Sequence, residues 1–379
     1  MLAVMERTGA QTDWTAKAEE IAAAIAAHNA RHDAEDSFVE EGFAALTDAG
    51  FFKALVPIEL GGGGASVGEI CDALRIIGAG CGSTALAAAM HSHIVAVAAW
   101  RREHQGAPMD ALLKRIADED LKLVSSGGSD WLNSAGTMEK VDGGYRLTAR
   151  KAFASGSVTG NIMNTSAVYD DPIDGPTVLH FGAPLKGEGV TIEPTWKALG
   201  MRGTGSNDVV FDGVFIPDAG IAGKRPQGKW HMLFHIISMI AFAPIYAAYL
   251  GVAEGARNRA VELVKNRPHD SLLAQNVGEM DNHLQAARLA HRRMVELAET
   301  GTPGPETTNE AMICRTLCAD SAIACVTKAM EVAGGLAFYR KSGLERAFRD
   351  IQAARFHPLQ EKPQKDFAGR IALGWDIDG

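Results

Sequence analysis

Apolar residues recur every three or four positions from residue 14 to about 117, the period of helices that bury one face. The run AEEIAAAIAAHNARHDAEDSFVEEGFAALTDAG closes on Gly50, a residue suited to a helix C-cap. A loop, FFKALVPIELGGGG, follows, with KALVPIEL strand-like in character. Then GASVGEICDALRIIGAGCGSTALAAAMHSHIVAVAAW resumes as Ala-rich helix. Between about 121 and 217 the period drops to two, and glycine, threonine and valine rise. GGYRLTARKAF predicts a hairpin turn at Gly143 and Gly144 leading into a strand. TVLHFGAP and NDVVFDGVFIP predict further strands, the last stopped by Pro217. Short strands with frequent turns point to a small β-barrel or sandwich. From about 228 to 372 the helical period returns, with candidate helices Met232–Lys265, Leu272–Glu299, Glu306–Val332 and Gly343–Phe356. The segment Thr300–Pro305 is a helix–helix turn. The expected organisation is α+β: a helical domain over 1–119, a β-domain over 120–225 and a four-helix bundle over 226–379.

The most apolar stretch, Met232 to Val252, is long enough to raise the question of a membrane span. His235, Pro244, two tyrosines and the lack of a flanking basic cluster favour a helix buried on all sides, so no membrane span is expected. Hydrophobic residues make up 46% of the 379 and charged residues 22%, which excludes a disordered chain, a collagen and a small disulfide scaffold. A net charge of −9 without a basic block argues against a nucleic-acid partner. Five cysteines, Cys71, Cys81, Cys314, Cys318 and Cys325, are an odd number spread thinly, and read as small buried hydrophobes in a reducing compartment. The opening MLAVMERTGAQTDWTAK lacks a basic start followed by an apolar core, so a cytoplasmic location is expected.

Several patterns raise chemistry and mostly lose it again. Gly61–Gly64 lacks the spacing of a dinucleotide fingerprint and the Lys-Ser or Lys-Thr of a phosphate loop, which leaves a bend. Gly334 and Gly335 sit between helices, where paired glycines let a backbone approach a phosphate. His231 and His235 share a helix face, but Met232 stands where a metallopeptidase places glutamate, and no metal site is expected. No Gly-x-Ser-x-Gly element is present.

Five stretches, in order, are similar to one family. These are GFFKALVPIELGGGGAS, SSGGSDW, RKAFASG, LGMRGTGSNDVVFDGVFIP and EVAGGLAFYRKSGLERAFRD. Over about residues 15 to 372 the chain resembles the acyl-CoA dehydrogenase superfamily. The resemblance implies an N-terminal helical domain, a central β-barrel and a C-terminal four-helix bundle. It implies FAD, or alternatively FMN taken up reduced, at the domain junction, and a dimer or tetramer in which the flavin tail runs to a neighbouring subunit. Carried over by position, Ser125, Ser129, Phe153 and Ser155 contact or flank the ring and ribityl chain, and Gly334 and Gly335 line the pyrophosphate path. Four departures stand out. The SSGGSD turn is two residues short of the usual form. Glu331 replaces a common glutamine, and a carboxylate there needs a cationic partner. NRPHD at 266–270 keeps only Arg267 of an Arg-x-x-Phe-Gly motif.

The fourth departure concerns the base. A dehydrogenase needs a carboxylate within reach of the substrate α-carbon. The aligned position after Arg349-Asp350 is Pro358, beside His357, and the family's alternative position falls near Ala241. Glu361 or Asp270 serve only if the alignment slips. A side branch of the superfamily, the two-component flavin monooxygenases, fits better: it takes reduced flavin from a separate reductase and forms a C4a-hydroperoxide. That branch often carries Phe-x-Ser-Gly, here Phe153 to Gly156, and a histidine after the Arg-Asp pair, here His357. The catalytic candidates are therefore His357, Ser155, His93 and His91, acting on a small-molecule substrate. A flavin reductase is the expected partner, or an electron-transfer flavoprotein if the chain is a dehydrogenase. Buried, hydrogen-bonded histidines at 91 and 93, and a helix stop at 357, are the plain alternatives.

Overall fold

A computed structural model describes residues 12–126 and 128–379. Six helices come first: α1 (Trp14–Ile25), α2 (Asn29–Glu35), α3 (Glu40–Asp48), α4 (Val67–Gly80), α5 (Gly82–Gln105) and α6 (Asp110–Glu119). Eight strands follow: β1 (Leu123–Ser125), β2 (Thr137–Val141), β3 (Gly144–Ala154), β4 (Ile162–Asp171), β5 (Gly175–Pro184), β6 (Val190–Glu193), β7 (Asn207–Pro217) and β8 (Ile221–Pro226). The chain then returns to helix: α7 (Met232–Val264), α8 (Ser271–Thr300), α9 (Pro305–Ala333), α10 (Leu344–Ile351) and α11 (Glu361–Leu373).

Local signals explain most boundaries. Ser66 and Glu69 cap α4 reciprocally, side chain to backbone in both directions. Asp270 accepts the Leu272 N–H at the start of α8, and α9 opens on Pro305, whose missing N–H costs nothing in a first turn. The strand-like reading of KALVPIEL fails. The segment makes two 3-10 turns, Phe51–Lys53 and Ile58–Leu60, and the glycine run folds back on it. The amides of Gly61, Gly62, Gly63 and Gly64 donate to the carbonyls of Ile58, Pro57, Lys53 and Val56. Those amides are spent within the chain, so the run is a bend.

The β-domain is one hydrogen-bonded sheet in the order β6-β7-β3-β2-β4-β5-β8, with β1 beside β4. This is the central β-domain expected from sequence. The ladder ends at β6 and β8, and only Thr137 and Val168 pair across β2 and β4. The C-terminal helical domain stands where it is expected. Three long helices, α7 to α9, carry it, and the expected helix Gly343–Phe356 is the shorter α10 followed by a 3-10 turn, Gln352–Arg355. α11 lies beyond it, where no helix is expected from sequence.

Two apolar cores hold the fold. One fills the sheet, around Leu147, Met163, Phe181 and Phe211. The other is shared by the helices before and after the sheet and includes Leu74, Ile77, Leu113, Tyr249 and Met280. Among the described residues three helices, α5, α7 and a run from Pro305 to Phe338, are long and apolar enough to cross a membrane. The apolar window of α7 is 94% buried inside the protein, as a core helix requires. α4 and α7 meet closely: a Cβ on Gly251 would lie 2.2 Å from the Arg75 carbonyl and 2.9 Å from the Gly78 Cα. Gly251→Ala is therefore expected to lower unfolding free energy by about 1–3 kcal/mol. Chemical denaturation checks this, and an unchanged midpoint would contradict the close crossing.

Candidate active site

The SSGGSDW turn is lashed to the sheet by buried charge. Lys151 on β3 is 1% exposed, and its ammonium donates to Asp130 Oδ2 at 2.7 Å and to the carbonyls of Ala135 and Ser166, both at 2.6 Å. Asp130 also accepts from the Thr165 hydroxyl and the Ala135 amide, both at 3.0 Å. Burial pulls the Lys151 ammonium down, and the Asp130 carboxylate opposes that pull. Arg225 on β8 adds a second clamp, donating to the Leu132 and Trp131 carbonyls at 2.5 and 2.9 Å. The turn faces the C-terminal segment: a Cβ on Gly128 would lie 3.0 Å from the Pro358 ring. The side chain of Ser129 lies outside the described residues. Ser125, at the end of β1, donates to the Met90 sulfur at 3.6 Å on α5.

Helix α5 carries His91 and His93, which part company in the structure. His91 is 2% exposed, and its Nδ1 accepts from the Leu123 amide at 2.9 Å. Its Nε2–H therefore donates to the Phe52 carbonyl at 2.6 Å. Both nitrogens are occupied in joining α5 to β1 and to the first 3-10 turn. This structural clip is the buried, hydrogen-bonded arrangement expected as the plain alternative to a catalytic role for His91. His93 has no such clip. It is partly buried, burial holds its pKa down to about 4, and its ring is within electrostatic range of His357.

His357 sits just beyond the 3-10 turn that ends α10. Its Nε2 lies 2.7 Å from the Tyr249 hydroxyl, and the Tyr246 ring lies 6.0 Å from its own. Arg315 on α9 is 2% exposed and donates to the carbonyls of Ala354, Arg355 and His357 at 3.2, 3.2 and 2.9 Å. Burial first, then the Arg315 charge, push the His357 pKa down to about 3. The two carboxylates that might replace a missing base are engaged elsewhere. Glu361 pairs with Lys365 on the surface, and Asp270 caps α8.

Ser155 lies in a different group. Its hydroxyl is 2.7 Å from that of Ser206, which is 2.6 Å from that of Thr204, and Thr204 donates to the Met201 carbonyl at 2.9 Å. Since Thr204 spends its proton on that carbonyl, Ser206 donates to Thr204 and Ser155 donates to Ser206. The Ser155 oxygen keeps a free lone pair. Phe153, two residues before it, has φ +59° and is 57% exposed beside Trp196. A non-glycine residue in that left-handed region carries strain, which functional sites often hold. No hydrogen bond or ring contact joins Ser155 to the histidine group among the described residues.

The glycine pair and Arg267 do meet. Arg267 donates to the Ala333 carbonyl at 3.1 Å, and a Cβ on Gly334 or Gly335 would touch nothing within 4 Å. Glu331 is paired with Lys328 at 2.7 Å, so its carboxylate does not bar an anion there. Ala333 stands eighteen positions past Arg315 on α9, about 27 Å along the axis. This corner is therefore remote from His357 within one chain.

A flavin fits these residues. Ser155 offers an acceptor to a ring N–H, Phe153 an exposed aromatic face, and Trp131 a buried Nε1 with no partner among the described residues. Open glycines beside a guanidinium suit a pyrophosphate. Sequence reasoning missed Tyr249 and Arg315. Signals for both existed: tyrosines one turn apart in an aliphatic helix, and a lone cation at the buried phase between Met312 and Ala319.

Comparison with known proteins identifies the family. The family models for the acyl-CoA dehydrogenase N-terminal and C-terminal domains match residues 8–122 and 243–361. The chain is 27% identical over 375 residues to "Putative acyl-CoA dehydrogenase YdbM" of Bacillus subtilis, covering 92% of this chain and 93% of that protein. It is 26% identical over 355 residues to dibenzothiophene monooxygenase of Rhodococcus erythropolis, covering 82% of each. A crystal structure of KijD3 in complex with FMN and a dTDP-sugar superposes with a TM-score of 0.88 at 24% identity, covering 98% of this chain and 97% of that one.

Proposed function

The chain belongs to the acyl-CoA dehydrogenase family, and on that premise we propose that it is a flavin-dependent oxidoreductase working as a reduced-flavin monooxygenase on a small organic substrate. One observation carries the reading. Where a dehydrogenase of this family places its carboxylate base, this chain has His357 and Pro358, surrounded by Tyr249, Tyr246, Arg315 and His93. The naming of a relative as a dibenzothiophene monooxygenase and the FMN in the KijD3 complex support it.

Bound reduced flavin, as FMN or FAD, supplies the electrons that activate dioxygen. The protein's part is placement and hydrogen bonding. Ser155, held by Ser206 and Thr204, accepts a hydrogen bond from a ring N–H, which a reduced flavin has at N5. Phe153 and Ser125 would flank the ring. His357 and His93, both neutral at pH 7, offer polar groups to an oxygen of substrate or oxidant. Tyr246 donates to the Ala354 carbonyl at 2.6 Å and steadies the segment that carries His357.

Reduced flavin comes from a separate reductase in this reading. Arg267, Gly334 and Gly335 serve the tail of a flavin bound in a neighbouring subunit, since they stand far from their own chain's His357. The exposed apolar residues Ile313, Leu317, Leu336, Phe338 and Tyr339 on and after α9 suit burial in a dimer or tetramer. Five free buried cysteines suit a reducing, cytoplasmic setting.

Oxygen uptake and labelled-dioxygen incorporation test the reading, with chemically reduced FMN and a panel of aromatic and organosulfur compounds. His357→Ala is expected to lower turnover by about 10- to 100-fold, within the usual worth of a positioned acid–base group. An unaffected rate removes His357 from the site. The second reading, an acyl-CoA dehydrogenase using FAD and an electron-transfer flavoprotein, rests on the Bacillus relative. It predicts anaerobic bleaching of bound FAD by an acyl-CoA, and that result would replace the first.

A further inference from the structure

We propose that Tyr249 is a positioning residue that locks His357 as its Nδ1–H tautomer, so that the imidazole presents a hydrogen-bond donor to an oxygen bound beside it. This deepens the reading above and rests on it only in taking His357 to face the reactants.

The argument begins with the phenol. Tyr249 is 0% exposed, and its hydroxyl has one hydrogen-bond partner among the described residues, His357 Nε2 at 2.7 Å. Burial pushes its pKa well above the ordinary phenol value, so it keeps its proton. That proton needs an acceptor. If Nε2 carried a hydrogen and donated to the phenol oxygen, the phenol proton would be left without one, a state that buried hydroxyls rarely hold. The satisfied arrangement has Tyr249 donating and Nε2 accepting. A neutral imidazole then carries its hydrogen on Nδ1.

Arg315 secures the other half. Its guanidinium is buried and has no carboxylate partner among the described residues. Its bonds to the carbonyls of Ala354, Arg355 and His357 fix the backbone that carries the ring. Its charge disfavours a second proton on the imidazole. The ring is thereby held neutral, in one orientation and one tautomer. His357 Nδ1 has no hydrogen-bond partner among the described residues. An imidazole so arranged stabilises negative charge on an oxygen. It cannot take a proton from a substrate carbon through Nδ1, which sets it apart from the carboxylate base of a dehydrogenase.

Full-length, flavin-free protein labelled with 15N-histidine tests this by nitrogen NMR, with His357 signals assigned by their loss in His357→Asn. The native protein is expected to show a protonated Nδ1 and a bare Nε2. In Tyr249→Phe the Nδ1–H fraction is expected to fall severalfold as the proton shifts to Nε2. A native spectrum with the hydrogen on Nε2, or on both nitrogens, overturns the proposal. So does a folded Tyr249→Phe variant with an unchanged tautomer. If that variant does not fold, the native spectrum alone decides. No flavin or substrate enters the measurement, so its failure is distinct from failure of the monooxygenase reading.

Discussion

Asp130→Ala is expected to cost about 3–5 kcal/mol of unfolding free energy. The substitution leaves the Lys151 ammonium buried, with two carbonyls but no counter-charge. It also removes the acceptor that holds the Thr165 hydroxyl and the Ala135 amide. Chemical denaturation measures the loss. The matched double change, Asp130→Leu with Lys151→Met, should recover most of it, because apolar groups of similar volume replace an ion pair at little net cost. A single variant as stable as the parent would mean that the buried Lys151 ammonium does not depend on the Asp130 carboxylate. The same substitution should weaken flavin binding in the reading given above, since the pair anchors the turn beside Ser125.

Acid is expected to unfold the protein well above pH 4. Burial holds His91 and His93 near 4, and His180 and His357 near 3, all below the ordinary 6.5. Between those values the unfolded chain binds protons that the folded chain refuses. Stability is therefore full above about pH 6.5 and falls as pH drops toward the folded values. Each histidine contributes roughly 1.4 kcal/mol per pH unit across that window. The Asp350 carboxyl, pushed by burial up to about 6, works the other way and offsets about one of the four. Against a total of ~5–15 kcal/mol, the remaining slope is large enough to unfold the protein as pH falls through that window. Circular dichroism from about pH 3 to about pH 8, which brackets the folded and unfolded histidine values, reads it directly. Native signal retained at pH 4 would show that these rings are less buried than the fold implies.

Long elements were legible because their signals are local and repeated. α7, α8 and α9 begin and end within a residue or two of the expected Met232–Lys265, Leu272–Glu299 and Glu306–Val332. Caps and a proline mark those ends. The 3-10 turns at Phe51–Lys53 and Ile58–Leu60 were not legible, since an apolar run broken by Pro57 resembles a strand until its amides are traced. The strand order was not legible either, because it depends on pairs far apart in the chain, such as β3 with β7. Within the site, Ser155 and the Arg267 corner were visible as motif positions. His91 was visible too, but its role depended on where Phe52 and Leu123 came to lie.

What the sequence alone determined was the layout of helices, sheet and helices, and the family. Each is carried by spacing and residue type along the chain. Only the tertiary structure decided which polar groups face one another. Tyr249, Arg315 and His357 are separated by scores of residues, yet converge because α7 and α9 pack side by side and the turn after α10 closes over them. Hydrogen-bond direction, burial and charge at that meeting point are properties of distance in space, which periodicity along a chain does not encode.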